Sequence, residues 1–116
     1  MIRSGAKDHR FTAEVASTPQ EQSVGMMHRR SIAPDRAMLF PFPEEKVAGF
    51  WMMNTLIPLD MIFIRADGTI ARIATAQPLD LTSVSSEVPV TAVLEIAGGR
   101  SAELGIRAGD RVEFRL

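Results

Sequence analysis

Residues 61–76 read M-I-F-I-R-A-D-G-T-I-A-R-I-A-T-A, two apolar, alternating runs on either side of Asp67-Gly68. Period-two alternation places successive side chains on opposite faces of a strand. Asp-Gly between two such runs signals a hairpin with a two-residue turn of the primed type, both turn residues at positive φ. That turn sets Ala66 opposite Thr69, Ile64 opposite Ala71 and Ile62 opposite Ile73. Ile62, Ile64, Ala71 and Ile73 then share one face, expected to point inward. The same alternation carries Asp60 to that face, at its end.

Further strands are expected upstream and downstream of the hairpin. Residues 10–16 alternate Phe11, Ala13 and Val15 with Thr12, Glu14 and Ala16, a pattern for a strand buried on one face. Residues 36–40 form a second short strand that Pro41 and Pro43 should end. Residues 47–53 are apolar on both faces, as a covered central strand would be. Residues 90–97 place Val90, Ala92, Leu94 and Ile96 on one face and Thr91, Val93, Glu95 and Ala97 on the other. A last strand is expected over residues 111–116.

Helix signals are few. Thr18-Pro19-Gln20-Glu21 is a capping box with Pro at the first helical position, and the helix is expected to run to about Arg29 with Gly25 inside it. Residues 101–104 make a short helical turn that Gly105 ends as a left-handed cap. Residues 77–89, with Pro78, Asp80, Ser83, Ser85 and Ser86, form a long loop of the kind that is functional or mobile. No strand–helix–strand alternation is present. The expected fold is mostly β, a compact antiparallel barrel or sandwich of six or seven strands with one helix and one helical turn. Residues 1–9 are expected to be a flexible lead, and residues 10–116 one globular domain.

Composition narrows the chemistry. The chain has 116 residues, 46% hydrophobic and 23% charged, which suits one soluble domain with a real core. A net charge of −1 and dispersed basic residues give no nucleic-acid footprint. The absence of cysteine excludes disulfides, thiolate metal sites and cysteine nucleophiles. No apolar run is long enough to cross a bilayer as a helix. Residues 1–10 are polar, without the apolar core of a signal peptide. The Ser4-Gly5-Ala6-Lys7 start matches what remains after removal of an export signal, and a cytoplasmic location stays open.

Candidate site residues gather in residues 50–60, F-W-M-M-N-T-L-I-P-L-D, where an aromatic and thioether run meets a polar turn and an acid. Trp51 would supply apolar contact, Asn54 and Thr55 hydrogen bonds, and Asp60 and Glu95 charge. Asn54 and Thr55 equally form a turn with their own backbone. Asp60 is either a structural pin or a ligand anchor. As a pin it needs donors, expected from the backbone of residues 54–57 or from Arg29. Met26-Met27-His28 and Trp51-Met52-Met53 are two soft-ligand clusters that would suit Cu(I). There is no nucleophile elbow, phosphate-binding loop or dinucleotide fingerprint.

G-M-M-H-R at residues 25–29, A-M-L-F-P-F at 37–42, F-W-M-M-N-T-L-I-P-L-D-M-I-F-I at 50–64, V-L-E-I-A-G-G at 93–99 and L-G-I-R-A-G-D-R-V at 104–112 follow one another in a characteristic order. In these the chain resembles the bacterial and archaeal family catalogued as domain of unknown function 192. Ala37 stands where that family usually has Gly, and Met53 where a basic residue is common. The resemblance implies a small mostly-β domain with two short helices, often exported in Gram-negative members. It implies no activity, no cofactor and no catalytic residue. The leading expectation is a noncatalytic module binding a small molecule or protein partner through Arg29, Trp51, Asn54, Thr55, Asp60 and Glu95. The alternatives are a hydrolase using Asp60 and Glu95, and an exported Cu(I) carrier using Met side chains and His28.

Overall fold

The computed structural model describes residues 1–114. Its strands are β1 (Ile2–Ser4), β2 (Lys7–His9), β3 (Thr12–Val15), β4 (Arg36–Lys46), β5 (Gly49–Phe50), β6 (Leu59–Ile64), β7 (Ile70–Ala76), β8 (Val84–Ser85), β9 (Val90–Ala97) and β10 (Arg111–Val112). Two short helices join them, α1 (Pro19–Val24) and α2 (Arg100–Leu104). The central sheet has the order β3-β4-β9-β6-β7. All its pairs are antiparallel except the β3–β4 edge, which is parallel. The expected mostly-β fold is found in its sandwich-like form, and the sheet does not close into a barrel.

The sheet is covered on both faces. All six residues of β6 are buried. One face carries Met38, Phe40, Met61, Phe63 and Val93, packed against Met26, Met52 and Ile57. The other carries Leu39, Ile62, Ile64, Leu94 and Ile96, packed against Ile2, Ile106 and Val112. Alternating residues of one strand thus feed two cores.

The hairpin forms, with a shifted tip. Ile62 opposes Ile73 as expected, but Ile64 opposes Ile70, not Ala71. The Asp67 carboxylate accepts from the Thr69 N–H (2.9 Å) and hydroxyl (2.7 Å). Asp67 keeps negative φ, and Gly68 alone takes the positive value, 89°. The Gly68 N–H donates to the Arg65 carbonyl, so a longer turn with a glycine bulge replaces the primed turn. Ile70 therefore takes the inward place, and Ala71 packs on the opposite face.

Other boundaries move for physical reasons. The capping box forms with both reciprocal bonds, yet α1 stops at Val24 because Gly25 turns at φ 48°. An added Cβ at Gly25 would lie 3.4 Å from the Phe40 ring, so the close approach there is to a ring. β4 continues through Pro41 and Pro43 to Lys46, with an irregularity that accommodates both prolines. Residues 47–53 are not a central strand: only β5 pairs, with β8, and Val47, Trp51 and Met53 are exposed. β3 is a solvent-facing edge whose four residues are all exposed.

Residues 1–9 are built into the fold, contrary to the expected flexible lead. β1 pairs with β2 and β10, and Ile2 is fully buried. The last strand is formed at Arg111–Val112, and residues 115–116 of its expected span lie outside the described residues.

Candidate functional site

Asp60, the second residue of β6, lies on the face away from Met61 and is fully buried. Its carboxylate accepts from the Gly99 N–H (2.9 Å), the Ser101 N–H (2.9 Å), the Ser101 hydroxyl and the Thr75 hydroxyl (2.7 Å). These donors come from β7 and from the corner between β9 and α2. Neither expected source, Arg29 nor the backbone of residues 54–57, is among them. Gly98 allows the corner to close: its N–H donates to the Pro58 carbonyl, and a Cβ there would meet Pro58 at 2.7 Å. Asp60 ties three elements together with its lone pairs occupied, as a structural pin does.

Glu95 faces the other way. It lies opposite Met38 on β4 and Met61 on β6, so it belongs to the methionine-rich face. It is 4% exposed, and no hydrogen bond or ion pair to another described residue reaches its carboxyl. Burial alone pushes its pKa up to about 8. At neutral pH the group is mainly a neutral acid, able both to donate and to accept.

Above Glu95 lies a cleft of about 400 Å³, walled by the end of α1, the outer part of β4 and residues 47–55. Met26, Phe40, Phe50, Met52 and Leu59 form its apolar interior. Phe40 and Phe50 meet edge to face with centroids 5.3 Å apart. Val24, Val47 and Trp51, each more than half exposed, lie along its mouth. Lys46 also lines it, its ammonium 4.4 Å from the centre of the Phe42 ring.

Hydrogen bonds from the Gln22 side chain and from the backbone hold these walls. The Gln22 amide donates to the Ala16 and Pro41 carbonyls and fastens α1 to β4. The His28 N–H donates to the Asn54 carbonyl at 2.8 Å, joining the chain after α1 to the turn after Trp51. Both residues sit at positive φ, 65° and 55°. The long loop 77–89 braces the opposite side: Met52 N–H donates to Asp80, Leu79 N–H to Thr55, and Ser86 N–H to Ala48.

Of the expected site residues, Trp51, Thr55 and Glu95 line the cleft. Thr55 is buried, and its hydroxyl donates to the Met53 carbonyl at 3.2 Å. Asn54 contributes through its backbone. Arg29 lies outside the cleft lining and pairs with Glu14, holding that carboxyl below its usual range. Asp60 and Glu95 point to opposite faces, so the proposed hydrolytic pair is not assembled. His28 is exposed and does not line the cleft, so it does not join Met26 and Met52. No cluster of three or more His, Asp or Glu suited to a metal occurs among the described residues.

Phe40 and Phe42 were missed as site residues, and Met26 and Met52 were expected only as thioether ligands for copper. The phenylalanines read as core, and nothing local shows that the segments around residues 26, 40 and 52 converge. A second cleft, about 490 Å³, lies on the opposite face beside Met1, Phe11, Leu39 and Leu94. Among the described residues, no buried unpaired carboxyl opens into it.

The model of domain of unknown function 192, described as an uncharacterised ACR, matches residues 1–114. A solved protein of unknown function from Novosphingobium aromaticivorans superposes with a TM-score of 0.94 at 41% identity, over 97% of this chain and 81% of that one. A Sinorhizobium meliloti protein, provisionally described as a transcription regulator, superposes with a TM-score of 0.93 at 41% identity. That match covers 97% of this chain and 88% of the other. No curated protein matches the chain.

Proposed function

Because the chain belongs to the family of domain of unknown function 192, described only as uncharacterised, its own geometry must supply a function, and we propose a noncatalytic module that binds a small, largely apolar molecule. One observation carries this reading: the Glu95 carboxyl, almost wholly buried and without a protein partner, borders a cleft walled by aromatic and thioether side chains. Holding such a group mostly out of water without a donor costs free energy, less than full burial would because its oxygens keep contact with solvent through the cleft. A ligand that pairs with it recovers that cost. A half-open cleft of a few hundred Å³, with aromatic and thioether side chains in its walls and a carboxyl beneath them, has features of a small-molecule site. Trp51 and Thr55 serve at the mouth and wall, and Asp60 serves stability.

The net charge of −1 gives no support for carrying the regulator description of one neighbour to this chain. Titration with N-phenyl-1-naphthylamine, a neutral aromatic reporter, tests the proposal. Saturable uptake of one reporter per chain, weakened by Phe50→Ala and by Trp51→Ala, is expected. Absence of saturable uptake, or uptake indifferent to both substitutions, contradicts it.

A further inference from the structure

Resting on that reading of the cleft, we infer that its natural occupant is an organic ammonium with an apolar body, its cationic head on Glu95 and its body against Phe40, Phe50 and Met52. Three observations point to this class. The floor is a carboxyl that receives no donor from the described residues, so its complement is a donor or a cation. The walls present aromatic rings and thioethers, whose electron-rich surfaces attract cations and do not stabilise anions. Lys46 over the Phe42 ring shows that an ammonium settles against these aromatics.

Charge placement is compatible with the same class: Lys46 lies opposite Val90 and Glu95 opposite Met38, so the lysine sits at the far end of the β4–β9 ladder from the carboxyl. Lys46 on β4 and Glu95 on β9 are the titratable residues lining the cleft. The lining residues from α1, from 47–55 and from β6 are uncharged. Among the described residues no arginine borders the cleft, and the one lysine, Lys46, has its ammonium over the Phe42 ring. An ammonium would draw Glu95 into its ionised form and release a proton, because a nearby opposite charge favours the charged state. The raised pKa of the free acid, about 8, makes this coupling observable near neutrality.

Three eight-carbon probes separate the possibilities: octyltrimethylammonium, 1-octanol and octanoate, followed by the fluorescence of Trp51, the sole tryptophan. The quaternary head carries a charge that does not titrate, so any pH dependence belongs to the protein. Octyltrimethylammonium is expected to bind at least tenfold more tightly than 1-octanol at pH 8. Its affinity is expected to rise about fiftyfold between pH 6 and pH 8, following ionisation of an acid titrating near 8. Glu95→Gln should abolish both effects. Equal binding of octyltrimethylammonium and 1-octanol, or preference for octanoate, overturns the ammonium inference and leaves the small-molecule reading standing. Failure of all three probes to bind overturns both.

Discussion

Asp60 and Glu95 lie one register step apart on paired strands, and their carboxylates point to opposite faces of the central sheet. Met61 is the partner of Glu95 and the chain neighbour of Asp60, which fixes the opposition. Two acids that a linear reading placed in one site therefore have separate duties. The first is saturated with donors and holds the β6–β7–α2 corner. The second lacks protein donors and borders the cleft.

Asp60→Ala should destabilise the fold by about 2–4 kcal/mol, since it leaves the Gly99 and Ser101 N–H groups and two hydroxyls without their acceptor. Urea unfolding measures the loss. Reporter affinity of the remaining folded protein should stay within about twofold, because Asp60 does not line the cleft. A matching collapse of affinity at conditions where the variant is fully folded would argue for a role of Asp60 in the site.

Glu95 should make stability fall as pH rises. Its folded pKa, about 8, exceeds its ordinary value of 4.5, so between those values the native state holds a proton that the unfolded chain has released. The stabilising effect of the proton is fully present below about pH 4.5 and is lost progressively until about pH 8. Glu95→Gln removes this contribution and should be more stable than the parent at pH 8, by about 1–3 kcal/mol. Denaturant midpoints of both proteins from pH 5 to 8 check the slope. A parent whose midpoint runs parallel to that of the variant contradicts it.

Gly98 and Gly99 should respond differently to alanine. At Gly98 the new methyl would meet the Pro58 Cβ at 2.7 Å, and overpacking of this kind costs about 1–3 kcal/mol. At Gly99 the space is open, and only the positive φ of 85° opposes the change, at about 1 kcal/mol. Thermal unfolding of the two variants should rank Gly98→Ala as the less stable. The reverse order would mean that the 58–98 contact is looser than described.

Thr18→Ala should cost about 1 kcal/mol through loss of the capping box. The helix it starts supplies one wall of the cleft, so reporter binding should weaken as well. Thr18→Ser keeps an oxygen in place and should restore both properties. Calorimetric unfolding and reporter titration of the two variants provide the comparison.

Local chemistry was the legible part of this chain. The capping box needs only residues 18–21, and it forms with both bonds. The strand over 90–97 and the Gly105 cap were likewise readable from near neighbours. Inward burial of Asp60 followed from alternation, but its donors lie 15 to 41 residues away and left no local sign. The hairpin tip was misread by one residue because the Asp67 side chain captures Thr69 and leaves Gly68 alone to turn. The stretch 47–53 was misread because aromatic and thioether residues line a cleft and fill a core with equal ease. Glu95 carried a signal in its apolar same-face neighbours Val93 and Ala97. Met26, Phe50 and Met52 stood out by residue type, but their convergence with Phe40 over Glu95 had no local sign, since only the tertiary fold brings them together.

Methionine-methyl NMR tests the cleft most directly, because the seven methionines sample both faces of the sheet. Met26, Met27 and Met52 line the cleft above Glu95, and Met1 lines the larger one on the opposite face. On titration with N-phenyl-1-naphthylamine the methyl signals of Met26 and Met52 should shift with a common saturation curve while Met1 stays still. Shifts confined to Met1, or no saturable shift at Met26 and Met52, would place the site elsewhere or remove it.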